Sequence, residues 1–299
     1  MKTFGCQSMY APIRRMLLKH PRQAFISQAN VDLQWQSLQY YGCPNLENAI
    51  REYERFVELL GQFNMEIHFA PQDENTSIDS LYVHDPLVVT DRGVILGSMG
   101  KPARLTEPFA AGKYLAELGV PLLGRIRGNG KLESGDLLWV DECTLAVGQG
   151  FRTNADGLRQ LRELLGDQEV EIVPVPLPYW NGPLDCLHLL SFISIVDKNL
   201  AVVYSRLMPV PFREWLLERG FQLLDVPDEE YESLGCNVLA VGPRQCIMLN
   251  GNPQTERRLE QAGAEVWTIA GTEICLKGTG GPTCLTRPIL RATSPGELE

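Results

Sequence analysis

One short pattern recurs five times along the chain, and this repetition constrains the fold more than any other feature. Each copy contains short apolar strand segments, usually paired around a turn of Gly, Asp, Asn or Pro, as β-hairpins are. The 299 residues divided by five give repeats of about 60 residues. A repeat of this length can correspond to one structural module. The copies occupy residues 11–18, 86–96, 137–148, 192–204 and 237–249.

Helical segments alternate with these hairpins. Residues 46–60 and 155–165 carry apolar side chains at helical spacing, and Asn154 is positioned to cap the second helix. Residues 212–219 and 255–262 each precede a glycine, Gly220 and Gly263, of the kind that ends a helix. Extended runs follow at 221–224 and 264–269. The sequence therefore predicts an α/β protein built from βαβ-like modules.

We expect the modules to form one domain over residues 1–293, since no linker rich in Pro, Gly or Ser divides the chain. The polar segment 294–299 is expected to fray. The net charge of −10, from 37 acidic and 27 basic residues, argues against nucleic acid or an anionic membrane as a partner. No apolar run approaches the roughly 20 residues of a spanning helix. Whether the chain forms a homo-oligomer is left open.

Eight cysteines and four histidines limit the chemistry that the chain can perform. The cysteines contain no CxxC pair, so a zinc site of the usual spacing is not expected. With no secretory signal recognisable at the N-terminus, free thiols in a reducing cytoplasm are the simplest interpretation. Most of these thiols are expected to be small buried hydrophobic residues.

Cys284 is the exception, because it follows the glycine-rich run 278–281. Such a loop can present a thiol on a sharp turn, with backbone N–H groups nearby to lower its pKa. A nucleophilic cysteine needs a proton shuttle. His188 is the candidate and His84 its rival. The alternative from local sequence is that Cys284 is a small loop residue and His188 a core histidine.

Acidic residues near turns supply the other candidate groups. Glu133 and Asp136 flank a glycine turn, and one of them could orient His188 as the third member of a triad does. Asp79 and Asp85 bracket a predicted strand and could accept paired hydrogen bonds from a guanidinium. Arg104 and Arg152 follow strands and suit a carboxylate. Solvated turns and surface arginines are the structural alternatives.

The order of these motifs resembles the guanidino-group-modifying enzymes, especially their dimethylarginine dimethylaminohydrolase and arginine dihydrolase branches. The resemblance covers nearly the whole chain and rests on five stretches within residues 79–288: LYVHDPLVVTDRGVILGSMGKPAR, LESGDLLWVDECTLAVGQGFRTN, DCLHLLSFISIVDKNLAVV, GCNVLAVGPRQCIMLNG and GGPTCLTRP. It implies the pentein fold, a five-bladed α/β propeller of ββαβ modules with pseudo-fivefold symmetry.

The resemblance also implies a role for each candidate residue. Cys284 would be the nucleophile, His188 the general acid and base, and Glu133 the acid that orients it. Asp85, with Asp79 beside it, would hold the guanidinium of a small-molecule substrate, near His84. Arg104 and Arg152 would bind the substrate's α-carboxylate, and Asp136 would be structural. The reaction would pass through a thiouronium on Cys284 to a ureido product, with no metal or organic cofactor.

Two departures from the family leave the substrate open. Dimethylarginine hydrolases carry Glu-Asp where this chain has His84 and Asp85, and arginine deiminases carry Asp where it has Leu190. Amidinotransfer, in which an amine replaces water, is the alternative enzyme function. A non-catalytic binding protein, like the ribosome anti-association factor of this fold, is the alternative outside enzymes. The triad residues in family order argue against the latter.

Overall fold

The computed structural model describes residues 2–166 and 170–292. The described strands are β1 (Ile13–Leu18), β2 (Glu66–Phe69), β3 (Leu87–Thr90), β4 (Gly93–Leu96), β5 (Leu122–Arg125), β6 (Leu137–Asp141), β7 (Thr144–Gln149), β8 (Glu171–Pro176), β9 (Ile193–Asp197), β10 (Leu200–Val203), β11 (Gln222–Asp225), β12 (Leu239–Gly242), β13 (Gln245–Leu249), β14 (Glu265–Ile269) and β15 (Arg287–Arg291). The α-helices are α1 (Pro21–Ala24), α2 (Gln28–Gln34), α3 (Leu46–Leu60), α4 (Glu107–Glu117), α5 (Ala155–Leu165), α6 (Val210–Glu218), α7 (Asp228–Tyr231) and α8 (Pro253–Gln261).

These strands form five three-stranded sheets with one shared topology. In each sheet the central strand is antiparallel to one neighbour and parallel to the other, as β4 is to β3 and β5. At least one helix lies in the chain between the central strand and its parallel neighbour, for example α5 between β7 and β8. This arrangement is the predicted ββαβ module, repeated five times.

The module that contains β1 is assembled from both ends of the described chain. β1 pairs with β15 in antiparallel fashion, with Ile13 opposite Arg291 and Leu17 opposite Arg287, and with β2 in parallel. The expected repeat at residues 11–18 is therefore not a local hairpin, since its antiparallel partner comes from the far end of the sequence. This pairing brings the two ends of the described chain together within one module.

Local signals explain four of the described helices. Asn45 and Asn154 cap α3 and α5 by accepting hydrogen bonds from backbone N–H groups of the first turn. Gly220 and Gly263 have φ of +79° and +83°, as expected of residues that end a helix. The sequence pattern does not predict α4, because its buried residues are only Glu107, Pro108 and Leu115 and leave no regular apolar stripe.

The two strands of each hairpin are almost wholly buried, whereas the parallel outer strands β2, β5 and β11 each expose two of their four residues. The hairpins therefore form the inner layer of each module. One polar residue comes shortly before each of the strands β3, β6, β9, β12 and β15: Asp85, Glu133, His188, Asn237 and Cys284. Four of these residues line one cavity, and Glu133 contacts it through His188.

Within the described ranges, no helix is both long and apolar enough to cross a membrane. The expected single domain over 1–293 stays a prediction. The segment 294–299, expected to fray, lies outside the described residues.

Candidate active site

A cavity of about 450 Å³ collects most of the residues that the sequence singles out. It is lined by residues from all five modules, and the side chains along its wall include carboxylates, cations, thiols and aromatic rings. The predicted site residues that line it are Asp79, His84, Asp85, Arg104, Arg152, His188 and Cys284. Glu133 lies behind this wall, without exposed surface.

His188 and Glu133 form the central contact of the site. The Nε2 of His188 lies 2.8 Å from Glu133 Oε2, and both side chains are buried. His188 stands at the start of a 3₁₀ turn, Leu189–Ser191, where its backbone N–H donates to the Ser191 hydroxyl at 2.9 Å. The imidazole is thus oriented by a carboxylate, as a catalytic base is in a triad.

Glu133 is held by two further donors. The backbone N–H of Gly100 donates to Oε1 at 2.7 Å, and Arg152 Nη1 donates to both oxygens at 3.3 and 3.2 Å. Burial opposes the charged carboxylate, but the hydrogen bond from His188 and the charge of Arg152 outweigh it and lower the pKa of Glu133. Glu133 is therefore an anion beneath His188.

Asp85 is fixed from one side by a buried arginine. Arg104 Nη1 donates to Asp85 Oδ2 at 2.8 Å, and its Nε donates to Glu107 at 3.0 Å. Burial opposes ionisation of Asp85, but Arg104 and His188 lower the pKa of its carboxyl overall. Its second oxygen, Oδ1, faces His188 Nδ1 at 4.0 Å. In the described part of the chain Oδ1 has no hydrogen-bond donor, so it can accept one from a ligand.

Arg104 and Arg152 both bind carboxylates that belong to the protein. Arg104 also donates to the Tyr82 carbonyl at 3.0 Å, and Arg152 forms its ion pair with Glu133. Their expected contact with a substrate carboxylate stays a prediction. In the structure they neutralise the acids around His188.

The remaining acidic residues differ in their roles. Asp79 pairs with Lys101 Nζ at 2.6 Å on the cavity wall. Residues 78–81 form a 3₁₀ turn, so the strand expected between Asp79 and Asp85 is absent there. Asp136 accepts the backbone N–H of Leu189 at 3.0 Å and is buried, which raises the pKa of its carboxyl to about 6. Asp136 thus supports the turn after His188, as a structural residue would.

His84 lies close to the nucleophile candidate but is bound to backbone. Its Nδ1 donates to the Thr286 carbonyl at 3.0 Å, and its backbone N–H donates to the Cys284 carbonyl at 3.3 Å. Burial and the nearby Arg287 lower the pKa of His84 to about 3. At neutral pH it is therefore uncharged and holds the Cys284 segment.

Cys284 lines the cavity next to Asn237 and the glycine-rich run 278–281. Its sulfur accepts a hydrogen bond from Asn237 Nδ2 at 3.3 Å, while Asn237 Oδ1 accepts the Thr283 N–H at 3.0 Å. A Cβ on Gly281 would lie 2.5 Å from Asn237, so only glycine allows this contact. Burial and the negative charge of Asp85 raise the pKa of Cys284 to about 12. We expected backbone N–H groups to lower the pKa of the Cys284 thiol, and the structure does not show this effect.

Several site residues escape prediction from the sequence. The apolar pattern assigns Asn237 to a strand, although β12 begins only at Leu239. The sequence analysis expects Cys186 to be a small buried hydrophobic residue. In the structure its sulfur lies 3.6 Å from His188 Nδ1. The spacing Cys-x-His is the available signal for Cys186. No local pattern marks Lys101 or Glu107.

One group of side chains has the geometry of a metal site. Asp85, Glu133 and His188 can each bring one ligand atom within 4.8 Å of the others. Both carboxylates already bind guanidinium groups, those of Arg104 and Arg152. A metal ion here would compete with two fixed positive charges, so the residues do not fit a metal site well.

Known proteins resemble this chain over most of its length. It is 26% identical over 96% of its residues to the uncharacterized protein YkgA of Bacillus subtilis, of which 95% is covered. It is 25% identical over 83% of its residues to the N(G),N(G)-dimethylarginine dimethylaminohydrolase of Pseudomonas aeruginosa, of which 91% is covered.

The fold is shared with the inosamine-phosphate amidinotransferase StrB1 of Streptomyces griseus, with a TM-score of 0.78 at 15% identity over 98% of each chain. The five-module propeller predicted from the sequence is thereby confirmed. A family model described as "N,N dimethylarginine dimethylhydrolase, eukaryotic" matches residues 27–291. Since this match spans most of the sequence, the chain belongs to the N,N dimethylarginine dimethylhydrolase family.

Proposed function

We propose that this protein hydrolyses a C–N bond of a substituted guanidine and releases an amine or ammonia and a ureido product. The observation that carries the proposal is the convergence of Cys284, His188 and Asp85 on one cavity, with Glu133 bonded to His188. A thiol, a proton shuttle and a carboxylate are the groups that covalent attack on a guanidinium carbon requires.

Asp85 is proposed to hold the substrate. Arg104 occupies Oδ2, which leaves Oδ1 to accept an N–H from the planar guanidinium. A carboxylate acceptor strengthens such a hydrogen bond and fixes the plane of the group. The cation would then lie near Cys284, whose pKa is raised by burial and by Asp85. Because a nearby positive charge stabilises a thiolate, binding would activate the nucleophile.

The proposed reaction has two stages. In the first, the Cys284 thiol gives its proton to solvent as the guanidinium binds, and the thiolate sulfur bonds to the guanidinium carbon. The C–N bond then breaks as His188 gives a proton to the departing amine. A thiouronium remains on the sulfur. In the second, His188 takes a proton from water, the oxygen adds to the same carbon, and the C–S bond breaks to release the ureido product.

His188 is suited to the first proton transfer. Burial opposes the charged ring, but Cys186, Asp136 and Asp85 together raise the pKa of His188 well above its ordinary value. The imidazolium would therefore be available as an acid before the reaction begins. Glu133 keeps the ring in place while the proton moves, since its hydrogen bond to Nε2 leaves Nδ1 on the cavity side.

A substrate panel tests the proposal. We expect turnover of at least one of arginine, methylated arginines, agmatine and guanidino acids, with ammonia and amine release measured separately. Cys284→Ser should slow it by roughly a thousandfold or more. Cys143→Ser, which changes an exposed thiol on the β6–β7 turn, should not. Amidination of an added amine would instead indicate transfer, and unchanged turnover by Cys284→Ser would contradict the mechanism.

The two cavity histidines should behave differently. His188→Ala should reduce kcat by about a hundredfold or more, because the leaving amine loses its proton donor. His84→Ala should keep the wild-type pH dependence, because the lowered pKa of His84 leaves it neutral across the working range. Rate profiles over the pH range in which the protein stays folded would measure this. If His84→Ala abolishes turnover and His188→Ala does not, the shuttle is assigned to the wrong residue.

Gly135 should be required for the position of the shuttle. A Cβ at this residue would lie 2.4 Å from His188 Nδ1 and 2.9 Å from Asp85 Oδ1. Gly135→Ala must displace one of them, and a displacement of about 1 Å can lower a rate a hundredfold. Gly61→Ala is the control, since its Cβ meets nothing closer than 3.4 Å. Equal kcat values for the two folded variants would count against the assigned geometry.

A further inference from the structure

Cys186 is a second thiol in the cavity, and it contacts the imidazole of His188 at the nitrogen that Glu133 does not bind. Its sulfur is 3.6 Å from His188 Nδ1, whereas Nε2 of the same ring is 2.8 Å from Glu133. The backbone N–H of Cys186 donates to Asp185 Oδ1 at 2.7 Å, which fixes the chain two residues before His188. Each ring nitrogen therefore has its own partner.

Nδ1 is the nitrogen that can exchange protons with a bound molecule. Nε2 is committed to Glu133, which has no exposed surface and is held by Arg152 and the Gly100 N–H. Nδ1 is on the side of Cys186, which lines the same cavity as Cys284. The sulfur of Cys186 thus contacts the working nitrogen of the proposed shuttle.

Other charged groups near the ring do not replace this contact. Asp85 Oδ1 is 4.0 Å from Nδ1, and Asp85 is already paired with Arg104. Asp136 lies at the turn after the ring and accepts the Leu189 N–H. The titratable groups that act on His188 from the packed segments are Glu133, Asp136, Asp85, His84, Cys186 and Cys284. Arg152 and Arg104 neutralise Glu133 and Asp85.

We propose that Cys186 is a positioning residue that acts through His188: before substrate binds, its thiolate pairs with the protonated Nδ1 and keeps the ring in its acid form. In forming the pair, the S–H bond of Cys186 breaks and the N–H bond at Nδ1 forms, so no other reactant is needed. The proposal deepens the proposed function, on which it rests, because it assigns the origin of the proton that the leaving amine receives.

The pKa values of Cys186 and Cys284 are shifted in opposite directions, and this difference supports the assignment. Burial would raise the pKa of Cys186, but His188 and Arg152 outweigh it and lower the pKa. Burial and Asp85 raise the pKa of Cys284 to about 12. Cationic neighbours are what separates a reactive thiolate from an inert buried thiol. The resting thiolate is accordingly Cys186, while Cys284 would ionise only beside a bound cation.

The first experiment measures the thiolate directly and needs no substrate. Thiolate ultraviolet absorbance is titrated in the wild type and in Cys284→Ser, Cys186→Ser and Cys143→Ser, with folding checked by circular dichroism. We expect a thiolate that persists below the usual titration range of thiols in the wild type, Cys284→Ser and Cys143→Ser. Cys186→Ser should lose it. If Cys186→Ser does not fold, Cys284→Ser still tests the Cys186–His188 pair, because Cys186 is then still present beside the ring.

The second experiment uses the pH dependence of kcat/KM, which reports ionisations of the free enzyme. An anion beside Nδ1 raises the pKa of His188, so the acid form survives to higher pH. Without the thiolate the pKa falls, and the alkaline limb should move down by at least about one pH unit. If Cys186 were purely structural, its replacement would lower kcat/KM at every pH and leave the alkaline limb of the profile in place.

Two results would overturn the proposal: a low-pH thiolate that remains in Cys186→Ser and vanishes in Cys284→Ser, or an unmoved alkaline limb in folded Cys186→Ser. These failures are separable from failure of the proposed function. If no guanidine is turned over, the absorbance titration still shows whether the Cys186–His188 pair exists. If guanidines are turned over but the thiolate belongs to Cys284, only the role of Cys186 is wrong.

Discussion

A carboxylate without any exposed surface is the constraint on which the centre of this protein depends. Burying Glu133 as an anion costs several kcal/mol unless hydrogen-bond donors and positive charges surround it. Those donors come from three modules: the Gly100 N–H after β4, Arg152 after β7, and His188 before β9. The cost of leaving Glu133 unpaired therefore favours the arrangement in which these modules meet and His188 has a fixed orientation.

The same pairing determines the chemistry that the cavity can support. Two of the acids near the ring have a cationic partner, Arg152 for Glu133 and Arg104 for Asp85. The cations keep the acids ionised, and the acids in turn favour a protonated His188. An arginine that holds an internal acid would act on the proposed substrate only through that acid. This explains why the arginines are as deeply buried as the residues that they support.

The sequence predicts the hairpins and capped helices, which depend on neighbouring residues. It does not predict pairing between strands that are far apart in the chain. The hairpins are readable because both strands are buried and appear as short apolar runs, and α3 and α5 carry clear caps and apolar stripes. The antiparallel pairing of β1 with β15 joins opposite ends of the sequence, so no local pattern could predict it. Composition treats every thiol except Cys284 as a packing residue. Cys186 differs because its sulfur contacts the ring of His188 two residues later, a contact that the Cys-x-His spacing permits without requiring.

In the proposed mechanism, covalent chemistry occurs on Cys284, while Cys186 acts only through His188. Rapid quenching during turnover of a substituted guanidine, followed by intact mass and peptide mapping, tests this most directly. We expect an amidino adduct on the peptide that contains Cys284 during turnover by the wild type, and no adduct in Cys284→Ser. An adduct mapped to Cys186, or single-turnover product formed with no protein adduct at any time, would contradict it.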